Sequence, residues 1–360
     1  MPDTLTKIAY QTFQQGKQTF GLAHKTLSSR VMSFFYPIER TETNRPETNR
    51  IKGDLLAIFK KKLDALIETD WQDAEDGVYP KQLLFDNPWD DFFFYYPMVV
   101  LDIPKIWERA TQKRHQDFSA DVNTDGYPSY YVQNFHHQTD GYLTDLSANL
   151  YDLQVELLFN GSADAMRRRL LKPLKHHVES MRSLSDATPQ PLKVLDIACG
   201  TGRTLNMIRE TLPQASLYGV DLSPAYLRKA NQLLSQTPGT LPQLIQANAE
   251  KLPYLDNYFE AVTSVFMFHE LPAAARQNVI NEAFRVTQPG GVLIICDSIQ
   301  QADTPELSPM MENFPEMFHE PYYRHYTTDS ITDRLTQAGF ETVEVFNAFM
   351  SKYWVARKAG

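Results

Sequence analysis

A glycine-rich turn follows an apolar run past the middle of the chain. Residues 194–204 read VLDIACGTGRT, with Asp196 ahead of Gly200 and Gly202. Glycine lets the backbone come within contact distance of a ligand, where a side chain would obstruct it. The third glycine of a dinucleotide-binding turn is missing, and the Asp196 carboxylate would repel a pyrophosphate. The turn therefore predicts a ligand that carries a cationic group, and it disfavours a nicotinamide-dependent oxidoreductase.

Two more polar positions stand at the ends of apolar runs. Asp221 closes the run LYGVD, where a carboxylate can accept hydrogen bonds from both hydroxyls of a ribose. Asn248, Ala249 and Glu250 close the following run. These positions indicate a nucleoside-containing ligand at one edge of a sheet.

The elements that must position these residues can be read from the pattern. From about Pro191 onward, short apolar runs alternate with helical segments, which is typical of a parallel sheet with crossover helices. Before Asn160 the pattern is mainly helical and rich in aromatic residues. We therefore expect an α/β domain over 161–360 and an N-terminal, aromatic-rich helical domain or lid over 1–160.

The order of motifs from Lys193 to about Lys358 resembles the class I S-adenosylmethionine-dependent methyltransferases. AEKLPYLDNYFEAV and RVTQPGGVLIICDS are most similar to the small-molecule branch that contains the ubiquinone and menaquinone C-methyltransferases. The resemblance implies a Rossmann-like sheet of seven strands, mostly parallel with one antiparallel strand. It implies S-adenosylmethionine as cofactor and S-adenosylhomocysteine as product. The cofactor-binding residues that it implies are Asp196, Ala198, Gly200, Gly202, Asp221, Leu222, Asn248, Ala249 and Phe266.

The sequence departs from the family pattern at two of these positions. Ala198 stands where the first glycine of the turn is usual, a small change that leaves room for the cofactor. Asn248 replaces the usual acid and still offers an oxygen to the adenine amine.

Methyl transfer requires mainly alignment and exclusion of water, and for some acceptors a base. His269 follows the fourth strand, and an imidazole titrates near neutrality, so it is the first candidate for that base. The alternative is that His269 only closes the strand end. Further candidates are His136, His137 and His319.

Aromatic residues with polar tips are concentrated between Tyr127 and Gly161 and again after the fifth strand. Such residues can sandwich a planar acceptor, or they can form the core of the helical domain. We expect a small, aromatic or isoprenoid-like acceptor. The residues expected to bind it are Tyr130, Tyr131, Phe135, Tyr142, Phe268, Tyr322 and Tyr323.

Composition limits the partners. The net charge of -9 argues against a nucleic-acid partner, because phosphate binding needs a concentrated basic surface. Cys199 and Cys296 lie in apolar runs and no signal peptide is evident, so a reducing, cytoplasmic location is expected. No metal site is expected, because the side chains of adjacent His136 and His137 diverge and no Cys or further His stands at helical spacing from them.

Two alternatives remain open at this stage. Residues 5–34 form an amphipathic pattern that could contact a membrane surface or dock on the chain's own domain. The chain could also be a non-catalytic S-adenosylmethionine-binding protein that regulates or binds a partner.

Overall fold

The strands form a single sheet in the computed structural model, which describes residues 2–35, 46–86, 88, 92–183 and 191–360. The strands are β1 Lys193–Ile197, β2 Ser216–Asp221, β3 Gln243–Gln246, β4 Phe259–Val265, β5 Thr287–Ser298, β6 Phe340–Ala348 and β7 Ser351–Lys358. Their order is β3-β2-β1-β4-β5-β7-β6, and β7 runs antiparallel to both of its neighbours. The predicted seven-stranded, mostly parallel sheet is confirmed.

Helices cover the sheet and make up most of the N-terminal region. They are α1 Pro2–Phe35, α2 Pro46–Glu75, α3 Phe92–Gln112, α4 Asp145–Leu158, α5 Ala163–Arg168, α6 Leu171–Ser183, α7 Arg203–Thr211, α8 Pro224–Leu234, α9 Ala273–Val286, α10 Ser308–Phe318, α11 Tyr323–Tyr326 and α12 Ile331–Ala338. Short 3-10 turns occupy Lys81–Leu84, Phe135–His137, Phe268–Glu270 and Pro305–Leu307.

Local sequence explains where the elements run. Residues 194–197 of β1 and 291–297 of β5 are buried throughout, as expected for strands covered on both faces. Helix α8 begins with Pro224, and the Ser223 hydroxyl accepts the Tyr226 amide at 3.2 Å, so one free amide at the helix start is satisfied.

The N-terminal helices share a core with the sheet. Tyr10 and Trp71 belong to the same cluster of buried apolar residues as β1 and β4. Asp70 on α2 receives two hydrogen bonds from Arg168 on α5, at 2.9 and 2.7 Å, and one from Tyr79 at 2.7 Å. These buried contacts tie the two halves together. The division at residue 160 stays a prediction.

Helix α1 packs on the rest of the chain through one face. Tyr10, Gln14 and Lys17 are buried, whereas Leu5 and Ile8 are 71% and 53% exposed. The side chains of Leu27, Val31 and Phe34 lie outside the described residues. Within the described ranges, every helix is too short or too polar to cross a bilayer. Membrane contact through residues 5–34 stays a prediction.

Candidate functional site

The glycine-rich turn after β1 has a left-handed backbone at three positions. The φ angles of Ala198, Gly200 and Gly202 are 56°, 54° and 81°. A Cβ added to Gly202 would lie 3.0 Å from that of Ala230, so this glycine lets α7 pack against α8. A Cβ on Gly200 would meet only the Tyr226 ring, at 4.0 Å. Gly200 therefore presents bare backbone to an open space.

That space is a cavity at the carboxyl ends of β1, β2 and β4, where the strand order reverses. It measures about 810 Å³ with its open mouth. Seven of the residues implied by the resemblance line it: Ala198, Gly200, Asp221, Leu222, Asn248, Ala249 and Phe266. Asp196 and Gly202 are not among the lining residues. We call this space the first cavity.

Two carboxyl groups give the first cavity its electrostatic character. Asp221 accepts the Gly200 amide at 2.9 Å and the Ser223 amide at 2.8 Å, yet burial raises its pKa to about 6. Asp196 accepts the Thr263 hydroxyl at 2.7 Å, and burial raises its pKa to about 7. Hydroxyl groups or a cationic group of a ligand would offset the cost of burying these two carboxylates. These hydrogen-bond acceptors therefore fit a ribose and a positively charged group.

Four residues that the sequence predicted to bind the acceptor line the first cavity and not the second. These residues are Tyr130, Tyr131, Phe135 and Tyr142. The Tyr130 hydroxyl donates to Glu250 at 2.6 Å, which fixes the ring beside Asn248 and Ala249. Tyr151 and Tyr226 complete this aromatic wall. Neither tyrosine was predicted from the sequence, because Tyr151 lies within α4, Tyr226 lies within α8, and neither belongs to a motif.

A second cavity, of about 660 Å³ with its open mouth, adjoins the first. Tyr151, Phe266 and Glu270 line both spaces. Most of its wall is apolar and includes Val155, Leu158, Phe159, Met311, Phe314 and Met350. Its polar lining consists of His136, His269, Glu270, Ser298 and Tyr323. The second cavity thus combines an apolar wall with a concentration of titratable groups.

Asp297 at the end of β5 orients His269. Asp297 Oδ1 lies 2.7 Å from His269 Nδ1, and the carboxylate also accepts the amides of Phe268 at 2.6 Å and Ser298 at 2.7 Å. Burial alone would lower the pKa of His269, but the Asp297 carboxylate outweighs it and raises the pKa to about 10. The Asp297 carboxylate thus favours the protonated imidazole, whereas the sequence suggested a group that acts as a base.

His136, Glu270 and Glu320 come together beside His269. His136 Nε2 lies 3.0 Å from Glu320 Oε1 and 4.0 Å from Glu270 Oε1, and the Tyr142 hydroxyl donates to Glu270 at 2.5 Å. Burial, followed by the nearby Glu320 carboxylate, raises the pKa of Glu270 to about 7. The expectation of no metal site considered only the spacing of ligand types close to His136 in sequence. The fold brings His269 and Glu270 from one segment, and Glu320 from another, to His136.

The other two candidate histidines, His137 and His319, do not belong to this cluster. His319 stacks on His115 at 3.8 Å and its Nε2 lies 2.9 Å from Gln133 Oε1, while His137 is buried with its ring 5.9 Å from that of His319. Burial lowers the pKa of both His137 and His319 to about 4. Phe268 is buried in the core, and the Tyr322 hydroxyl accepts from Gln133 at 3.2 Å. Of the seven predicted acceptor residues, Tyr323 lines the second cavity.

Comparison with known proteins gives consistent matches. A family model described as a methyltransferase domain matches residues 194–291. The demethylmenaquinone methyltransferase of Lactiplantibacillus plantarum is 30% identical over 170 residues, 42% of this chain and 70% of that protein. The ubiquinone/menaquinone biosynthesis C-methyltransferase UbiE of Burkholderia orbicola is 26% identical over 218 residues, 56% of this chain and 83% of that protein.

Other matches are more partial. The demethylmenaquinone methyltransferase of Thermus thermophilus is 34% identical over 107 residues, 30% of this chain, and the chain spans only 47% of that relative. Among solved structures, human N-acetylserotonin methyltransferase in complex with S-adenosylmethionine aligns with a TM-score of 0.48 at 13% identity, covering 71% of this chain and 67% of that one. On the family match and the Lactiplantibacillus relative, the chain belongs to the class I S-adenosylmethionine-dependent methyltransferases, and it resembles their ubiquinone and menaquinone branch.

Proposed function

We propose that the first cavity holds S-adenosylmethionine and that the second cavity holds a small aromatic methyl acceptor. The observation that carries the proposal is the wall that the two cavities share, formed by Tyr151, Phe266 and Glu270. If the methyl donor and the acceptor bind on either side of this wall, a short opening between its side chains is enough to bring the methyl group to the acceptor. Side chains of that wall can align them and keep water out.

Residues of the first cavity divide into three groups around the cofactor. Asp221 accepts hydrogen bonds from the ribose, and Leu222, Asn248 and Ala249 border the adenine. Gly200 leaves space for the methionine end, with Asp196 supplying negative charge from beneath the turn. When bound, S-adenosylmethionine supplies a methyl group on a sulfonium, which is already an activated leaving group.

The second cavity suits a planar acceptor with an oxygen substituent. Phe159 and Phe266 stack with centroids 6.0 Å apart, and Phe314 packs on Tyr323 at 4.9 Å, so aromatic surface is available on several sides. His269 and Glu270 supply polar atoms for a phenolic or enolic oxygen. The similarity to demethylmenaquinone and ubiquinone/menaquinone C-methyltransferases favours a quinone-derived ring. A ring carbon beside such an oxygen is the atom that we propose to be methylated.

An acceptor panel tests this function. The protein is incubated with methyl-labelled S-adenosylmethionine and reduced naphthoquinones or benzoquinones that carry one unsubstituted ring carbon. We expect one labelled methyl group on that carbon, detected by mass spectrometry. Label on oxygen would still show methyltransferase activity, but oxygen and not carbon would be the methylated atom. Cofactor binding with no labelled product from any phenol, enol or quinol would favour a non-catalytic binding protein.

The pKa of Asp221 predicts how cofactor affinity depends on pH. Because burial raises that pKa to about 6, the free carboxyl gains a proton as the pH falls through that value. Ribose hydroxyls favour the carboxylate, so binding should weaken by up to about tenfold per pH unit below the pKa and release a proton. Asp221→Asn should weaken binding by about 2–4 kcal/mol at neutral pH, as expected for lost charge-assisted hydrogen bonds.

Calorimetric titration in buffers of different ionisation enthalpy measures both effects. Asp145→Asn is the matched control, because Asp145 is an exposed carboxylate that pairs with Arg228 at 2.7 Å, away from the cavity lining. If Asp221→Asn kept the wild-type affinity and the same proton release, the ribose would lie elsewhere.

A further inference from the structure

The unusual feature of the second cavity is a group of four potential metal ligands at its polar end. His136, His269, Glu270 and Glu320 each offer one ligand atom, and these atoms all lie within 4.8 Å of one another. Ligand atoms of a tetrahedral site with bonds of about 2.0–2.2 Å lie about 3.3–3.6 Å apart. Side-chain movements of about 1 Å would therefore be enough for the four atoms to surround one ion.

Glu320 is the second, independent observation. It is completely buried, and neither of its carboxylate oxygens has a hydrogen-bond partner among the described residues. Its Oε1 lies 3.0 Å from His136 Nε2, but the contact lacks hydrogen-bond geometry. A buried carboxylate without a well-aligned hydrogen-bond donor is costly, and a cation bound by both the carboxylate and the His136 imidazole would reduce that cost.

The surroundings of the ligands have the arrangement found around bound metals. His269 faces the buried Asp297 carboxylate through Nδ1, which leaves Nε2 turned to the cluster at 4.0 Å from Glu270 Oε1. The Tyr142 hydroxyl donates a hydrogen bond to Glu270 Oε1 at 2.5 Å and so orients that carboxylate. Such outer contacts fix the tautomer and direction of ligating side chains.

We infer that His136, His269, Glu270 and Glu320 form a binding site for one divalent transition-metal ion. Two imidazole nitrogens and two carboxylate oxygens suit Zn²⁺, Co²⁺, Mn²⁺ or Fe²⁺, whereas Mg²⁺ and Ca²⁺ prefer oxygen ligands alone. His136, His269 and Glu270 line the second cavity, so a bound ion would be reachable from it. This part of the inference rests on the proposed function: the ion would hold the deprotonated oxygen of the acceptor and set its ring against the shared wall.

Metal titration of the full-length protein tests the site without measuring turnover. Protein stripped with a chelator and dialysed is titrated with Co²⁺, followed by visible absorption, and separately with Zn²⁺, followed by calorimetry and elemental analysis. We expect one ion per chain, cobalt absorption bands of nitrogen and oxygen coordination, and a higher Tm on binding.

Two ligand variants keep the test decisive. Glu320→Gln and His136→Asn should each weaken the metal affinity by at least the roughly 10- to 100-fold seen for loss of outer contacts. Glu306→Gln and His176→Asn are matched controls, because both side chains are exposed and neither belongs to the cluster. If one ligand variant fails to fold, the other provides the comparison.

The outcomes for the site and for the proposed function are separable. Absence of stoichiometric Co²⁺ and Zn²⁺ binding, or equal affinity in Glu320→Gln and wild type, overturns the site even if methyl transfer is observed. One ion per chain that is lost in the ligand variants establishes the site even if every acceptor in the panel fails. Binding of S-adenosylmethionine, measured on the same samples, shows whether the first cavity is intact.

Discussion

Replacing Gly200 with valine is expected to abolish S-adenosylmethionine binding, with a loss of at least about 3 kcal/mol, or roughly a hundredfold in affinity. The valine side chain would project into the first cavity, since a Cβ at this position meets only the Tyr226 ring at 4.0 Å. The backbone φ of 54° adds strain, because a branched side chain disfavours the left-handed region. Calorimetric titration of the folded variant measures the loss.

The control separates backbone strain from obstruction of the cavity. Gly77 has a φ of 74° and open space around its Cβ position, but it lies at the end of α2 and not along the cavity. Gly77→Val should lose a similar amount of folding stability and keep its cofactor affinity. Wild-type affinity in Gly200→Val would place the cofactor elsewhere.

Replacing His269 with alanine is expected to lower kcat by about a hundredfold to ten-thousandfold, the usual range for a lost acid-base group. The ring lines the second cavity and is held by Asp297 at 2.7 Å, so it is fixed where the acceptor oxygen is proposed to lie. The reduction should appear in kcat, with the affinity for S-adenosylmethionine changed only a few-fold, because the ring does not line the first cavity.

Two companion variants sharpen this measurement. His176→Ala, on the exposed side of α6, should leave turnover unchanged. Asp297→Asn should lower turnover less than His269→Ala, because Asp297 acts by positioning the ring. Turnover of His269→Ala within a few-fold of wild type would mean that proximity alone accounts for catalysis and that His269 only closes the strand end.

Much of the fold and of the first cavity could be predicted because the signals are local. Strand runs such as 193–197 and the glycine-rich turn that follows are continuous in sequence, so spacing alone orders them along a sheet edge. Ala198 stands where the family usually has glycine, and its φ of 56° shows why that position favours glycine. The same local rules placed the start of α8 at Pro224.

The acceptor side could not be predicted in the same way because it is assembled from distant segments. His136 and Glu320 are separated by about half of the chain and meet at 3.0 Å because α10 packs against the 3-10 turn that contains His136. His136 and His137 are adjacent in sequence, yet their left-handed backbone turns them to different surroundings. Tyr130 and Tyr142 are aromatic residues with polar tips, the type expected at an acceptor site. Tertiary packing nevertheless places them along the first cavity.

A crystal structure of the protein with S-adenosylhomocysteine tests the central claim most directly, because it locates the cofactor relative to the shared wall. We expect the ribose hydroxyls on Asp221, the adenine between Leu222 and Asn248, and the sulfur at the wall of Tyr151, Phe266 and Glu270, facing the second cavity. S-adenosylhomocysteine bound in the second cavity, or a sulfur turned away from that wall, would contradict the proposed cofactor site.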